Sequence, residues 1–324
     1  MKKYIIVTEA NYDVASGHLY ECIALSKKMN TLKLPVILAV NKSMPSKWLG
    51  LLDDINYIFY DNVLEIAEQL YHTKNARNDE FYIITNLRDV NNRVVKDLRW
   101  NEHTTVVCLD EWGNKNIECD IVINNMASDS FWKYSGALQC YCGAKYLILS
   151  EKLKDYATKN KVIRRNIDNV VISMGGVDKF NHTKDVLSVI GDNNDIKRID
   201  VVLGGGYRYE DTLTTLCAKD SRVYLHRNID YIYDLFYEAD VAFSAGGNTM
   251  YELAAIGTPS IILPTMEHEE KNAIAFLDHG VFDVVKDVNS ITLPDYYQRK
   301  KSSFQGKEYI DGCGIENVMD IICG

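Results

Sequence analysis

The chain has 324 residues, 47% hydrophobic and 25% charged, with a formal net charge of -9 and a pI near 5.3. That length favours two domains over one, and the acidic balance argues against a nucleic-acid binder that works by broad phosphate neutralisation. An acidic protein can still hold an anion locally, through backbone amides and a helix dipole.

Met1-Lys2-Lys3 precedes an apolar run, Tyr4 to Val7, that stops at Thr8-Glu9. It is too short for a signal-peptide core, and no run approaches the length of a membrane span. The expectation is a soluble, cytoplasmic chain without a transmembrane segment. Short β-branched runs then alternate with amphipathic stretches. Strands are predicted at 4–8, 36–40, 57–60, 81–85, 105–109 and 120–124, with helices notably at 17–29 and 62–72. The charged stretch 151–169 is the expected boundary, dividing the chain into 1–155 and 156–324. Beyond it, strands are predicted at 170–173, 199–203, 223–225, 241–244, 260–263 and 282–285. Helices at 182–190, 210–219, 231–239, 249–256 and 269–279 lie between them. The closing 315–323 reads as an amphipathic helix able to pack on either half. Strand runs that are continuously apolar suit parallel strands covered on both faces. The fold class is therefore α/β, as two Rossmann-like, doubly wound parallel-sheet domains. Facing each other across a cleft, such domains place a ligand at the carboxyl ends of their strands.

The eight cysteines are scattered, and several lie in strand-like runs such as Val106-Val107-Cys108-Leu109. They read as small buried hydrophobes of a reducing compartment. Cys140-Tyr-Cys142 has the wrong spacing for a zinc knuckle and no second pair accompanies it. No metal and no cofactor are assigned.

Three glycine clusters each follow a predicted strand: Gly175-Gly176, Gly204-Gly205-Gly206 and Gly246-Gly247. A strand, a Gly-Gly turn and a helix form an anion site, because the first helical amides have no internal partner. Asn248 and Thr249 read equally as phosphate contacts or helix caps. Glu252, one turn further on, is placed to accept from ribose hydroxyls or simply faces solvent. Gly204-Gly-Gly-Tyr-Arg-Tyr lacks the last glycine of a dinucleotide fingerprint, so NAD is discounted. Gly17-His18 follows the first strand and opens a helix. The positive end of a helix disfavours a second positive charge, so a histidine there suits a general base, although a lone histidine is also commonly structural. Asp110-Glu111 ends the strand 105–109, and Glu267-His268-Glu269-Glu270 opens the helix that carries Asn272. Each is a candidate ligand contact or a plain surface feature.

Taken together these segments resemble a known set. Ser244-Ala-Gly-Gly-Asn-Thr-Met-Tyr-Glu-Leu-Ala-Ala-Ile-Gly-Thr-Pro, the helix after it and Gly280 resemble the donor-nucleotide half of GT-B enzymes. The lipid II-forming N-acetylglucosaminyltransferase is a widely known example. More specifically, Gly17-His18, Leu109-Asp110-Glu111, Cys119-Asp-Ile-Val-Ile-Asn124, Gly143-Ala-Lys-Tyr146 and Met174-Gly-Gly-Val-Asp178 resemble one GT-B group. That group holds spore-coat polysaccharide proteins and the pseudaminic-acid-pathway UDP-sugar hydrolase. The resemblance implies that the first domain holds the sugar or acceptor and His18 is catalytic. It implies that UDP sits on the second domain, with amides after Gly246 on the diphosphate and Glu252 on ribose. Gly17, Asp110, Glu111, Gly175, Gly176, Gly204, Gly247, Asn248, Thr249, Glu269 and Asn272 complete the expected contacts. The chain departs from the hydrolase pattern at Ala15, at Glu21 in place of an arginine, and at Thr85-Asn86-Leu87 in place of Asp-His-Tyr.

The expected activity is a UDP-sugar hydrolase of nonulosonic-acid or surface-polysaccharide biosynthesis, with His18 activating water against the anomeric carbon of an amino- or deoxy-sugar nucleotide. The alternatives are a glycosyltransferase using the same UDP-sugar site with a sugar or lipid acceptor, and a non-catalytic nucleotide-sugar binding partner. No basic, apolar patch stands out in residues 1–150, which leans toward water as acceptor.

Overall fold

A computed structural model describes residues 2–11, 17–71, 78–109, 115–126, 133–218, 220–227 and 229–324. The chain divides into two compact units, 1–150 with 313–324, and 151–312.

The first unit carries β1 (Lys2–Thr8), α1 (Gly17–Thr31), β2 (Val36–Asn41), β3 (Tyr57–Tyr60), α2 (Val63–Tyr71), β4 (Glu80–Asn86), α3 (Asn92–Leu98) and β5 (Thr104–Leu109). After these come β6 (Lys115–Asn116), β7 (Ile121–Asn124), β8 (Tyr134–Ser135) and β9 (Gln139–Cys142). Seven strands form one parallel sheet in the order β3-β2-β1-β4-β5-β7-β9, and β6 and β8 pair separately. Successive side chains of β1 enter opposite cores: Tyr4 and Ile6 join Leu19, Leu25 and Met29 of α1, while Ile5 and Val7 join Ile66 of α2 and Val95 of α3. Period-two alternation between two buried faces is why these strands read as unbroken apolar runs.

The second unit carries α4 (Glu151–Thr158), β10 (Asn169–Ser173), α5 (His182–Ile190), β11 (Arg198–Leu203), α6 (Glu210–Cys217), β12 (Val223–Arg227) and α7 (Ile232–Glu238). It continues with β13 (Val241–Ser244), α8 (Asn248–Ile256), β14 (Ser260–Ile262), α9 (Glu267–Asp278), β15 (Asp283–Val284) and α10 (Tyr296–Tyr309). Its parallel sheet runs β12-β11-β10-β13-β14-β15. In each unit the strand order reverses beside the first strand, at β1/β4 and at β10/β13, the place where doubly wound sheets open a crevice for ligands. The expected α/β architecture of two parallel-sheet domains is present.

The domain division differs from expectation in two places. The closing helix α11 (Gly314–Cys323) belongs to the first unit, not to the second half as the 156–324 division placed it. Ile315, Val318, Met319 and Ile322 enter the core that holds α1, each burial being worth roughly 1.5–3 kcal/mol. Lys28 pairs with Glu316 at 3.2 Å, and Asn317 donates to the Lys145 carbonyl at 2.7 Å. The expected boundary stretch is itself built structure. It contains α4, and Lys161 Nζ donates to the carbonyls of Tyr237 and Ala239 at the end of α7, with Arg164 Nε on Asp240 Oδ1 at 2.7 Å. Those carbonyls have no intrahelical partner, which is what draws the cation there.

Candidate functional site

In the second unit, the loops after β10 and β13 flank the strand-order reversal. Ser244 Oγ donates to the Ser173 carbonyl at 3.0 Å, tying the two strand ends together. The glycines of this edge divide by what a side chain would meet. A Cβ on Gly204 would lie 2.4 Å from the carbonyl oxygens of both Gly175 and Gly176, and one on Gly246 would lie 2.7 Å from Glu269 Cβ. These two glycines let loops pack backbone against backbone. At Gly175, Gly176 and Gly205 a Cβ would meet nothing within 4 Å. These positions face open space, and Gly175 additionally needs its positive φ of 76°.

The helix ends at this edge are not equivalent. Asp178 accepts from the amides of His182 and Thr183 at 2.9 and 3.0 Å, so α5 is already capped by a carboxylate. First turns of α6, α7 and α9 hold acidic residues, and Asp295 caps α10. Among the described residues of this unit, α8 is the helix with neither an acidic first turn nor a side-chain cap; Gly247 stands at its N-cap. Asn248 and Thr249 open it. That is the positive helix end left for an external anion.

Around α8, Glu269 Oε2 accepts from the Thr265 amide and hydroxyl, both at 2.7 Å, while Oε1 lies 3.6 Å from where a Cβ of Gly247 would sit. Asn272, one turn later, is buried at 2% exposure. Glu252 keeps part of its surface exposed. Burial pushes its carboxyl up to about 7, against a 3.0 Å hydrogen bond donated by Tyr233. The folded state thus holds this proton more tightly than the unfolded chain. The stability this provides at low pH is lost as pH rises from about 4.5 to about 7. Relative to Glu252→Gln, the wild type is expected to lose on the order of 2 kcal/mol between pH 5 and 8. Denaturant titrations at the two pH values check this, and parallel losses in both proteins would contradict it.

In the first unit, Gly17 is the first residue of α1 and His18, half-buried, the second. His18 Nδ1 lies 2.5 Å from Asn86 Oδ1. Asn86 Nδ2 donates to Glu21 Oε2 at 2.8 Å, and Asn125 Nδ2 to Glu21 Oε1 at 3.3 Å. Asn86 ends β4 and α1 follows β1, so this group sits at the strand-order reversal of its sheet. In the sequence Glu21 and Asn86 stand out only as departures from a family pattern, and no local signal points to Tyr233. Asp110 and Glu111 lie outside the described residues, as does Ala15. At the same carboxyl edge, a cavity of about 840 Å³ is lined chiefly by polar side chains, among them Glu9, Asn41, Asp61, Asn62, Arg88 and Asp89. Among the described residues no group of three or more His, Cys, Asp or Glu could hold a metal ion, and no helix is long and apolar enough to cross a membrane.

No family model matches the chain. It is 26% identical over 245 residues to the spore coat polysaccharide biosynthesis protein SpsG of Bacillus subtilis, covering 71% of this chain and 72% of that one. An uncharacterised protein of Methanocaldococcus jannaschii is 24% identical over 278 residues, 81% of this chain; the chain spans 55% of that relative's length. Among solved structures, MurG of Acinetobacter baumannii superposes with a TM-score of 0.68 at 13% identity over 99% of both chains. UGT2 of Phytolacca americana, solved with UDP-2-fluoro-glucose and pterostilbene, gives 0.63 at 11% identity, also over 99% of both. The chain has a GT-B glycosyltransferase-like fold, two Rossmann-like domains built on parallel sheets.

Proposed function

We propose that this protein is a GT-B glycosyltransferase of surface-polysaccharide biosynthesis that uses a UDP-sugar. The observation that carries the reading is the open N-terminus of α8 beside the space over Gly175 and Gly176. The diphosphate lies against the amides of Asn248 and Thr249, where the helix end also stabilises charge developing on departing UDP. Glu252 accepts from ribose hydroxyls. Glu269 Oε1 suits a sugar hydroxyl, since a carboxylate so placed attracts a donor and repels a phosphate. His18 takes the proton of the attacking hydroxyl.

Transfer is preferred to the hydrolysis expected from sequence, for two reasons. The similar proteins with informative names point to polysaccharide assembly and to MurG. In addition, the open cavity beside β1–β4 falls within the 300–1,000 Å³ range of small-molecule sites and has room for an acceptor larger than water. Its polar lining fits a hydroxylated acceptor better than a lipid chain.

The test is a panel of UDP-sugars incubated with and without a pool of mono- and oligosaccharides, with UDP and the anomeric products followed by NMR. UDP release that depends on the pool supports transfer. Equal release without it supports the hydrolase, and binding with no release in either arm supports a non-catalytic partner.

A further inference from the structure

The hydrogen bonds behind His18 fix more than its position. Glu21 is 9% exposed and Asn86 1% exposed, so neither is freely rearranged by water. A carboxylate only accepts hydrogen bonds, so Glu21 takes the NH₂ end of the Asn86 amide at 2.8 Å. The oxygen end is thereby turned to His18 Nδ1, 2.5 Å away. An amide oxygen cannot donate, so Nδ1 carries the ring proton and Nε2 the lone pair. Asn125, donating to the other oxygen of Glu21 at 3.3 Å, holds the carboxylate from its far side. With Glu21 replaced by an apolar side chain, the Asn86 amide loses the carboxylate that orients it, and only the weakly bonding Cys22 thiol remains against turning it round. Its NH₂ would then face Nδ1, and the proton would move to Nε2, removing the base from that nitrogen.

We propose that Glu21 is a positioning residue that acts through Asn86 to set the tautomer of His18, leaving Nε2 as the free base. Its catalytic meaning rests on the reading of His18 as the base; the tautomer itself does not. The four residues lie on α1, at the end of β4 and just after β7, so the relay is anchored on regular elements of one unit.

Long-range ¹H–¹⁵N spectra of histidine-labelled protein, recorded above the imidazole titration, read the tautomer without any substrate. The wild type is expected to show His18 protonated at Nδ1 and bare at Nε2. Glu21→Met and Asn86→Leu are expected to lose that pattern, whereas Glu21→Gln, whose carbonyl can still accept from Asn86, retains it. A wild-type spectrum with the proton on Nε2 overturns the proposal, even if both apolar variants fail to fold. So does an Nδ1–H pattern that persists in native-like Glu21→Met and Asn86→Leu. If the tautomers behave as expected but His18→Ala still turns over normally, the base assignment fails and the positioning stands.

Discussion

His18→Ala is expected to lower kcat for sugar transfer by about 10²–10⁴-fold, the usual worth of a positioned general base, while the Kd for UDP is unchanged. The separation follows from placement. The groups proposed to hold UDP (the start of α8 and Glu252) are all in the second unit, whereas His18 belongs to the first. The loss falls on kcat because an interaction made only as the acceptor hydroxyl gives up its proton contributes to the transition state and not to ground-state binding. Steady-state kinetics with the UDP-sugar identified in the panel, together with calorimetry for UDP, check both halves. Wild-type turnover in His18→Ala would remove the histidine from the chemistry. Loss of UDP affinity alone would make it a binding residue instead.

The second large effect is structural. Gly204→Ala is expected to cost about 3 kcal/mol and to lower Tm by on the order of 5–10 °C. Its methyl would fall 2.4 Å from two backbone oxygens, those of Gly175 and Gly176, and backbone that closes a neighbouring turn cannot step aside as a flexible side chain can. The next residue is the control. A Cβ on Gly205 meets nothing within 4 Å and its φ is not positive, so Gly205→Ala should stay within about 0.5 kcal/mol of wild type. Thermal melts of the pair decide the matter. Equal stability would mean that the two glycine loops do not pack as described. Gly204, expected from sequence to touch the ligand, is on this account the residue that lets the ligand's loop keep its shape.

The parallel-sheet architecture was legible because strands buried on both faces leave continuous apolar runs, as in Ile121–Asn124 and Val241–Ser244. Where a helix lacks an apolar stripe, the same reasoning fails. The stretch forming α10, Tyr-Tyr-Gln-Arg-Lys-Lys-Ser-Ser-Phe-Gln-Gly-Lys-Glu-Tyr, shows no helical periodicity and contains a glycine. It is held by the Asp295/Gln298 capping box and by close approach to α8, where a Cβ on Gly306 would lie 3.0 Å from the Ala254 carbonyl. The capping-box spacing was the available signal. β9 was hidden because an edge strand with exposed and half-buried residues, Gln-Cys-Tyr-Cys, looks like loop. At the site, the glycine turn and the helix after it could be read from spacing alone. The partnership of Glu21 with Asn86 could not, since 65 residues separate them; each read singly as a departure from a family pattern, and together they make one hydrogen-bonded unit. Likewise only coordinates distinguish Gly246, packed on Glu269, from Gly176, which faces open space.

Amide chemical-shift mapping reads whether the open end of α8 holds the diphosphate of UDP. As UDP is titrated into the ¹⁵N-labelled protein, the amides of Gly247, Asn248 and Thr249 are expected to move most, followed by those of Gly175 and Gly176. Saturating UDP that leaves these amides in place, or that perturbs only residues away from the β10/β13 edge, would contradict that placement.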